Sequence, residues 1–360
     1  MPAARRLRFG IVGCGEVVRE FHLPAWKVLA QEVEFTCYYD SSPEALEWTA
    51  QHWPQARACG SLEEFLLNAQ SLDFAVLATP HSTHYELALR LLACGLHLLV
   101  EKPLTLELGH ARELYALAAA HDVLLTPLHN YRFYDTVRRG LDKDTRARLG
   151  DIMSLTVRLH AGPLRNLDSP WRWRERQQRT LLFDWAYHLV DIALLFLGPV
   201  QDLRFVDADT DSTGLQQVVF GTLHRNGARG LFDLAVDAAC ESHEIRVLGE
   251  GAALALEFAP LGMRMLPARE DPLSRATADL RRTLRYMRLL VRERYGARLN
   301  RNGDGHLRVF KAFVNAVRGS EANPIPPEQV QELIALLESV GNQAYSQRVP
   351  WARAAAASVR

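Results

Sequence analysis

No run in the 360 residues approaches the about eighteen consecutive apolar residues a membrane-spanning helix needs. The apolar run after the basic start Met1-Pro2-Ala3-Ala4-Arg5-Arg6 is also too short for a secretion signal. Net charge is missing too. The 42 Lys and Arg stand against 42 Asp and Glu, which excludes a global field drawing nucleic acid or an anionic surface. Cysteine is scarce and odd in number: Cys14, Cys37, Cys59, Cys94 and Cys240 show no paired spacing of the zinc or redox kind. No metal centre is therefore expected, and the cysteines read as buried thiols in a reducing compartment, the cytoplasm. Internal repeats are absent, and the one biased segment is an Ala-rich tail from Ala352 to Ser358.

What is present is ordinary globular usage, with a hydrophobic share of 48% and a charged share of 23%, on a chain long enough for two cores. From Leu7 to about Thr126, short apolar runs alternate with helical patterns. The pattern predicts strands over Leu7 to Val12, Val33 to Tyr39, Phe74 to Ala78, His97 to Val100 and Val123 to Thr126. Helices are predicted over Pro43 to Gln51, Leu62 to Asn68, Tyr85 to Ala93 and Leu106 to Ala120. This succession predicts an α/β fold whose first part, residues 1–128, is a Rossmann-like doubly wound parallel sheet with ligands at the carboxyl ends of its strands. After that the rhythm changes to longer alternating runs at Ile152 to His160, Val200 to Asp207, Gln216 to His224, Ala228 to Val236 and His243 to Leu248. A second, α+β domain over residues 129–350 with an open, mainly antiparallel sheet is expected. A helix over Leu182 to Leu197 should stop at Gly198-Pro199.

Gly10-Ile11-Val12-Gly13-Cys14-Gly15 follows an apolar strand and precedes a helix-like stretch, the context a dinucleotide-binding turn requires. Gly13 would permit the tight turn and Gly15 the approach of a pyrophosphate to the backbone. The third fingerprint position, usually Gly or Ala, is Val18. Asp40 ends the second strand about twenty-five residues past the glycines, where a carboxylate accepts from both adenosine ribose hydroxyls. With Ser41 and Ser42 next to it and no arginine, NAD is expected as the cofactor in preference to NADP.

Together with that turn, the segments Ala78-Thr79-Pro80-His81-Ser82-Thr83-His84 and Glu101-Lys102-Pro103 resemble the Gfo/Idh/MocA oxidoreductases of the glucose–fructose oxidoreductase and inositol dehydrogenase types. His129-Asn130-Tyr131-Arg132-Phe133 is similar to that family's crossover into its second domain, and Asp184-Trp185-Ala186-Tyr187-His188-Leu189-Val190-Asp191 to its substrate-site helix. The resemblance runs to a closing helix pattern at Glu328 to Ala344. It implies cofactor contacts from Gly13, Cys14, Gly15, Glu16, Val17 and Asp40. Thr79, Pro80, His81, His84, Glu101, Lys102, Asn130 and Arg172 join them. Substrate contacts are implied for Lys102, His160, Trp171, Asp184 and His188, and a homodimer or homotetramer for the assembly. The sequence departs from the family where His81 replaces a frequent Asn, Ala186 a Gly, and Gln178, Arg179 and Thr180 a glycine cluster, which bears on the loop before Asp184.

Read on their own, Asp184 and His188 are four apart and share a helix face, with Asp191 three further on nearly the same face. Oxidising a secondary alcohol needs a base for its proton, and an imidazole suits. His188 is thus expected as the base, with Asp184 fixing a neighbouring hydroxyl or the imidazole tautomer and Lys102 stabilising charge on the substrate oxygen. Trp171, Arg172 and Trp173 offer a sugar-stacking face and a cation, or simply anchor a loop. His160 and Arg158 alternate along one strand, either into a cleft or on an exposed sheet face. The expected function is an NAD(H)-dependent oxidoreductase acting on a secondary alcohol or ketone of a sugar, polyol or nucleotide sugar. The rivals are an NAD-dependent glycosidase or epimerising enzyme with transient hydride transfer, and a non-catalytic NAD-binding sensor or scaffold, which would be expected to have lost Lys102, Asp184 and His188.

One stretch stands apart. Near residues 264–301 Leu280, Leu284, Met287 and Val291 recur at helical spacing between Arg281, Arg282, Arg285, Arg288 and Arg292, predicting a basic amphipathic helical insert. Packing on its own protein or a dimer mate, an anionic substrate, and weak contact with a membrane surface all remain open for it.

Overall fold

The structure, a computed structural model, describes residues 5–162, 181–211, 214–236, 238–239, 241–258, 261–267, 280, 284, 287 and 305–346. Its first half runs β1 (Leu7–Val12), α1 (Leu23–Val28), β2 (Val33–Tyr39), α2 (Pro43–His52), β3 (Arg57–Ala58), α3 (Leu62–Leu67) and β4 (Phe74–Leu77). It continues with α4 (His84–Ala93), β5 (His97–Val100), α5 (Leu108–Ala120) and β6 (Leu125–Pro127). The six strands are all parallel, in the order β3-β2-β1-β4-β5-β6. Strands such as β4, Phe-Ala-Val-Leu, are buried at every position because helices cover both faces, which is why they read as unbroken apolar runs. From β1 the order departs to β2 on one side and β4 on the other, so the strand order reverses there and opens a crevice at the strands' carboxyl ends.

The second half begins with α6 (Asp135–Gly140), α7 (Lys143–Leu149), β7 (Ile152–His160) and α8 (Tyr187–Leu197), the last entered through a π-helical turn, Leu181–Ala186. Then come β8 (Val200–Asp211), β9 (Gly214–His224), β10 (Arg229–Ala235), β11 (Ser242–Gly249), β12 (Ala252–Phe258) and β13 (Leu261–Pro267), and two closing helices, α9 (Gly305–Val317) and α10 (Pro327–Ser346). The seven-stranded sheet, β13-β12-β11-β7-β10-β9-β8, is antiparallel except where β7 meets β10. Nine of the eleven residues of α8 are buried, as an almost wholly apolar helix requires. It stops at Gly198, whose φ of +74° few other residues tolerate.

Two features were not visible in the sequence patterns. Helix α9 returns to the parallel sheet: Phe310 stacks on Trp26 at 4.1 Å and Phe313 meets Phe74 edge-on at 5.3 Å. All four rings are fully buried, and each such ring removes apolar surface worth about 1.5–3 kcal/mol from water. Helix α10 straddles both sheets, with Val330 and Ile334 in one core and Leu333, Leu337 and Val340 in the other. Its Glu338 accepts from the backbone of Leu108 and its Glu332 from that of Val200. The expected single helix over Leu182 to Leu197 is instead a π-helical turn followed by α8. Of the basic stretch, Arg264 belongs to β13, and Leu280, Leu284 and Met287 are helical and at least half exposed; its remaining residues beyond 267 lie outside the described ones.

Candidate active site

At the crevice, Gly13 has a φ of +94°, and a Cβ there would lie 2.5 Å from the carbonyl oxygen of Ala78, so only glycine lets β1 and β4 approach this closely. A Cβ on Gly15 would meet nothing within 4 Å; the space in front of this turn is open to a ligand. The Cys14 amide donates to Asp40 Oδ2 at 2.6 Å, and the Ser42 amide donates to Oδ1 at 2.8 Å, which pins the carboxylate beside the glycine turn. Burial pushes the Cys14 thiol up to about 12, so that residue contributes its backbone and not a nucleophile. Glu16 and Val17 lie half-buried just after the turn, and Val18 is buried at the start of a π-helical turn, Val18–His22.

Beyond β4, Thr79 is half-buried, Pro80 exposed and His81 buried. The His84 ring is also buried, between the carbonyl oxygens of Pro103 at 2.7 Å and Thr79 at 2.9 Å. Burial lowers its pKa against the opposing pull of the two carbonyls, and with both nitrogens facing them the ring ties two loops together and turns neither nitrogen toward the crevice. Glu101 Oε1 pairs with His22 Nε2 at 2.7 Å, and its Oε2 accepts from the Lys102 amide at 3.1 Å. Burial would raise the Glu101 pKa, but the hydrogen bond and charge of His22 outweigh it and hold the carboxyl at about 2. The Asn130 amide nitrogen stands 3.4 Å from His306.

Lys102, Asp184 and His188 converge between the two sheets. The Lys102 ammonium donates to the Asp184 carbonyl at 3.0 Å and lies 3.6 Å from Asp184 Oδ1. Asp184 Oδ2 and His188 Nδ1 are buried and have no hydrogen-bond partner among the described residues. The His188 ring stacks on Tyr131 at 4.0 Å with the planes 5° apart, so the crossover segment fixes its orientation. Burial first, and the Lys102 charge second, push the His188 pKa well below that of a free imidazole.

Asp191 turns away from this group. It takes two bonds from Arg132, at 2.7 and 2.5 Å, and faces His129 Nδ1 at 3.0 Å. His129 Nε2 in turn reaches the Tyr187 hydroxyl at 2.8 Å, and Arg132 continues to Gln329 on α10. Burial alone would raise the Asp191 pKa; Arg132 and His129 hold it far below the usual carboxylate range. Their positions in the crossover run and the substrate-site helix were visible, but not that they pair. His160 and Arg158 both reach Asp233, at 3.1 and 3.5 Å, on the sheet face opposite the buried Leu155, Val157 and Leu159. Trp171, Arg172 and Trp173, and the glycine-replacing Gln178, Arg179 and Thr180, lie outside the described residues.

Residues 7–129 match the profile of an oxidoreductase family with an NAD-binding Rossmann fold, and residues 144–255 that of the GFO/IDH/MocA C-terminal domain. Fold and match together define an NAD-binding oxidoreductase. The chain belongs to the GFO/IDH/MocA family, as the motifs implied. Oxidoreductase YdgJ of Escherichia coli K12 is 27% identical over 342 residues, covering 92% of this chain and 94% of its own. D-glucoside 3-dehydrogenase of the same organism is 26% identical over 359 residues, with the same coverage of 92% and 94%. The WlbA dehydrogenase of Bordetella pertussis, solved with NADH and UDP-GlcNAcA, superposes with a TM-score of 0.76 at 22% identity over 95% of this chain and 96% of its own. Among the described residues no helix is long and apolar enough to cross a membrane.

Proposed function

We propose that this chain transfers a hydride between NAD(H) and a secondary alcohol or ketone on a sugar, polyol or nucleotide sugar, with His188 handling the hydroxyl proton. One observation carries the reading. Asp184 Oδ2 and His188 Nδ1 are buried without partners among the described residues, beside the Lys102 ammonium. A buried polar atom left unpaired costs about 1–3 kcal/mol, and a substrate with neighbouring hydroxyls would satisfy both. The names of the relatives support the substrate class: one acts on a D-glucoside, and another was solved with UDP-GlcNAcA.

Bound NAD+ supplies the hydride acceptor; its pyrophosphate suits the open space at Gly15 and its adenosine ribose the carboxylate of Asp40. His188 enters neutral and takes the hydroxyl proton. Lys102 faces the same oxygen and stabilises negative charge developing on it, while Asp184 holds the ammonium and a neighbouring hydroxyl. A panel of polyols, free sugars and nucleotide sugars followed by NADH absorbance tests this. One class should give signal. Deuterium wash-in at a sugar carbon with no net NADH would replace net oxidation by transient hydride transfer, and inertness toward every class would remove the reading.

Two further outcomes are expected. NAD should bind at least about tenfold more tightly than NADP, because Asp40 repels a 2′-phosphate. Asp40→Asn keeps an oxygen for the Cys14 amide while removing the charge, so calorimetry should show the ratio shrinking; an unchanged ratio would clear Asp40 of the effect. In the second, kcat/KM for oxidation should hold down to a pH below the about 6.5 of free imidazole, since only protonation of His188 at its lowered pKa removes the base. An acid limb at or above that value would show another group acting.

A further inference from the structure

We propose that His22, Glu101 and His306 form a binding site for one zinc-type divalent cation, next to the strand end that carries Lys102. A ring nitrogen of His22, a carboxylate oxygen of Glu101 and a ring nitrogen of His306 all lie within 4.8 Å of one another. The donors come from three separate places: the turn entering α1, the end of β5 and the first turn of α9. Tetrahedral zinc, with bonds of about 2.0–2.1 Å, sets its ligands roughly 3.3 Å apart, so the group needs only small side-chain adjustments. Two imidazoles and one carboxylate leave a fourth position open, and this mix of nitrogen and oxygen donors suits zinc better than magnesium or calcium, which prefer oxygen alone.

The surroundings hold the donors in place. His22 is fully buried and meets Phe310 edge-on at 5.1 Å. His306 stacks on Phe21 at 5.0 Å, and the Asn130 amide stands 3.4 Å from either ring nitrogen, too far to commit either one to a short bond. Glu101 Oε2 accepts from the Lys102 amide, while Oε1 faces His22 Nε2 at 2.7 Å; a cation would take the place of the proton those two atoms share and would sit one residue from Lys102.

The test uses the full chain, stripped with chelator and titrated with Zn2+ against a chromophoric chelator, then with Co2+ read by its visible absorption. One equivalent should bind with Kd below about 1 μM, and Co2+ should give the intense bands of a four-coordinate site. His306→Phe keeps the aromatic packing and removes the donor; it should weaken binding by at least about a hundredfold with an unchanged Tm in chelator. His22→Gln serves as the second variant should His306→Phe fail to fold. Weak or absent binding, or tight binding that neither substitution alters, overturns the site. Neither readout depends on turnover, so the hydride-transfer reading stands or falls separately.

Discussion

His188→Asn and Lys102→Met should each lower turnover by about a hundredfold or more while NAD affinity stays within about threefold. In the proposed reaction both side chains serve the substrate oxygen beside Asp184, whereas pyrophosphate and ribose would be met at Gly13 to Gly15 and Asp40. Asn at 188 fills much of the space under Tyr131, and Met at 102 keeps the aliphatic stem, so neither leaves a large cavity. Steady-state kinetics with the substrate found in the panel, beside NAD calorimetry, is the measurement. Near-native turnover in either variant would remove that residue from the reaction.

The second large effect falls on stability. Asp191→Ala should destabilise the fold by about 3–5 kcal/mol, because it strands the buried Arg132 guanidinium and opens the link to His129. For a domain of this size that is a drop in Tm of roughly 10 °C or more, read by calorimetry. Arg132→Met with Asp191→Ala should recover part of the loss, since neither charge is then left alone. The pH dependence has a definite sign. The folded carboxyl sits below its unfolded value, so its contribution is complete above about pH 4 and drains away as pH falls toward the lowered value. A flat Tm in the single variant would mean the pair is replaced by solvent at no cost.

Much of this architecture can be read from residue order alone, and the exceptions have physical reasons. Strands β1, β2, β5 and β7 match their apolar or alternating runs residue for residue because turn residues bound them. Strands β12 and β13 escaped: Ala252 to Leu256 is too rich in alanine to read as a strand, and only pairing across β11 makes it one. Helix α9 did carry a signal, with Val309, Phe310, Phe313 and Val314 at helical spacing, but nothing local says which sheet they cover. Lys102, Asp184 and His188 were legible because motif and spacing both mark them. Asp191 was half legible, since three residues along a helix turn a side chain by about 60° from alignment, enough to move it from the cleft to the interior. The His22, Glu101 and His306 group was invisible, for its members meet only through the return of α9.

That return also sets an order of events in synthesis. The aromatic face formed by Phe9, Trp26 and Phe74 is complete only when Phe310 and Phe313 arrive, and those leave the ribosome after the strands of both sheets. A nascent chain of roughly 300 residues therefore has all six parallel strands and an uncovered greasy side, the condition under which chaperones bind and partial products aggregate. The first half of this protein, cut at the crossover, would expose that aromatic face. Its last wall is delivered by a helix that follows the second sheet.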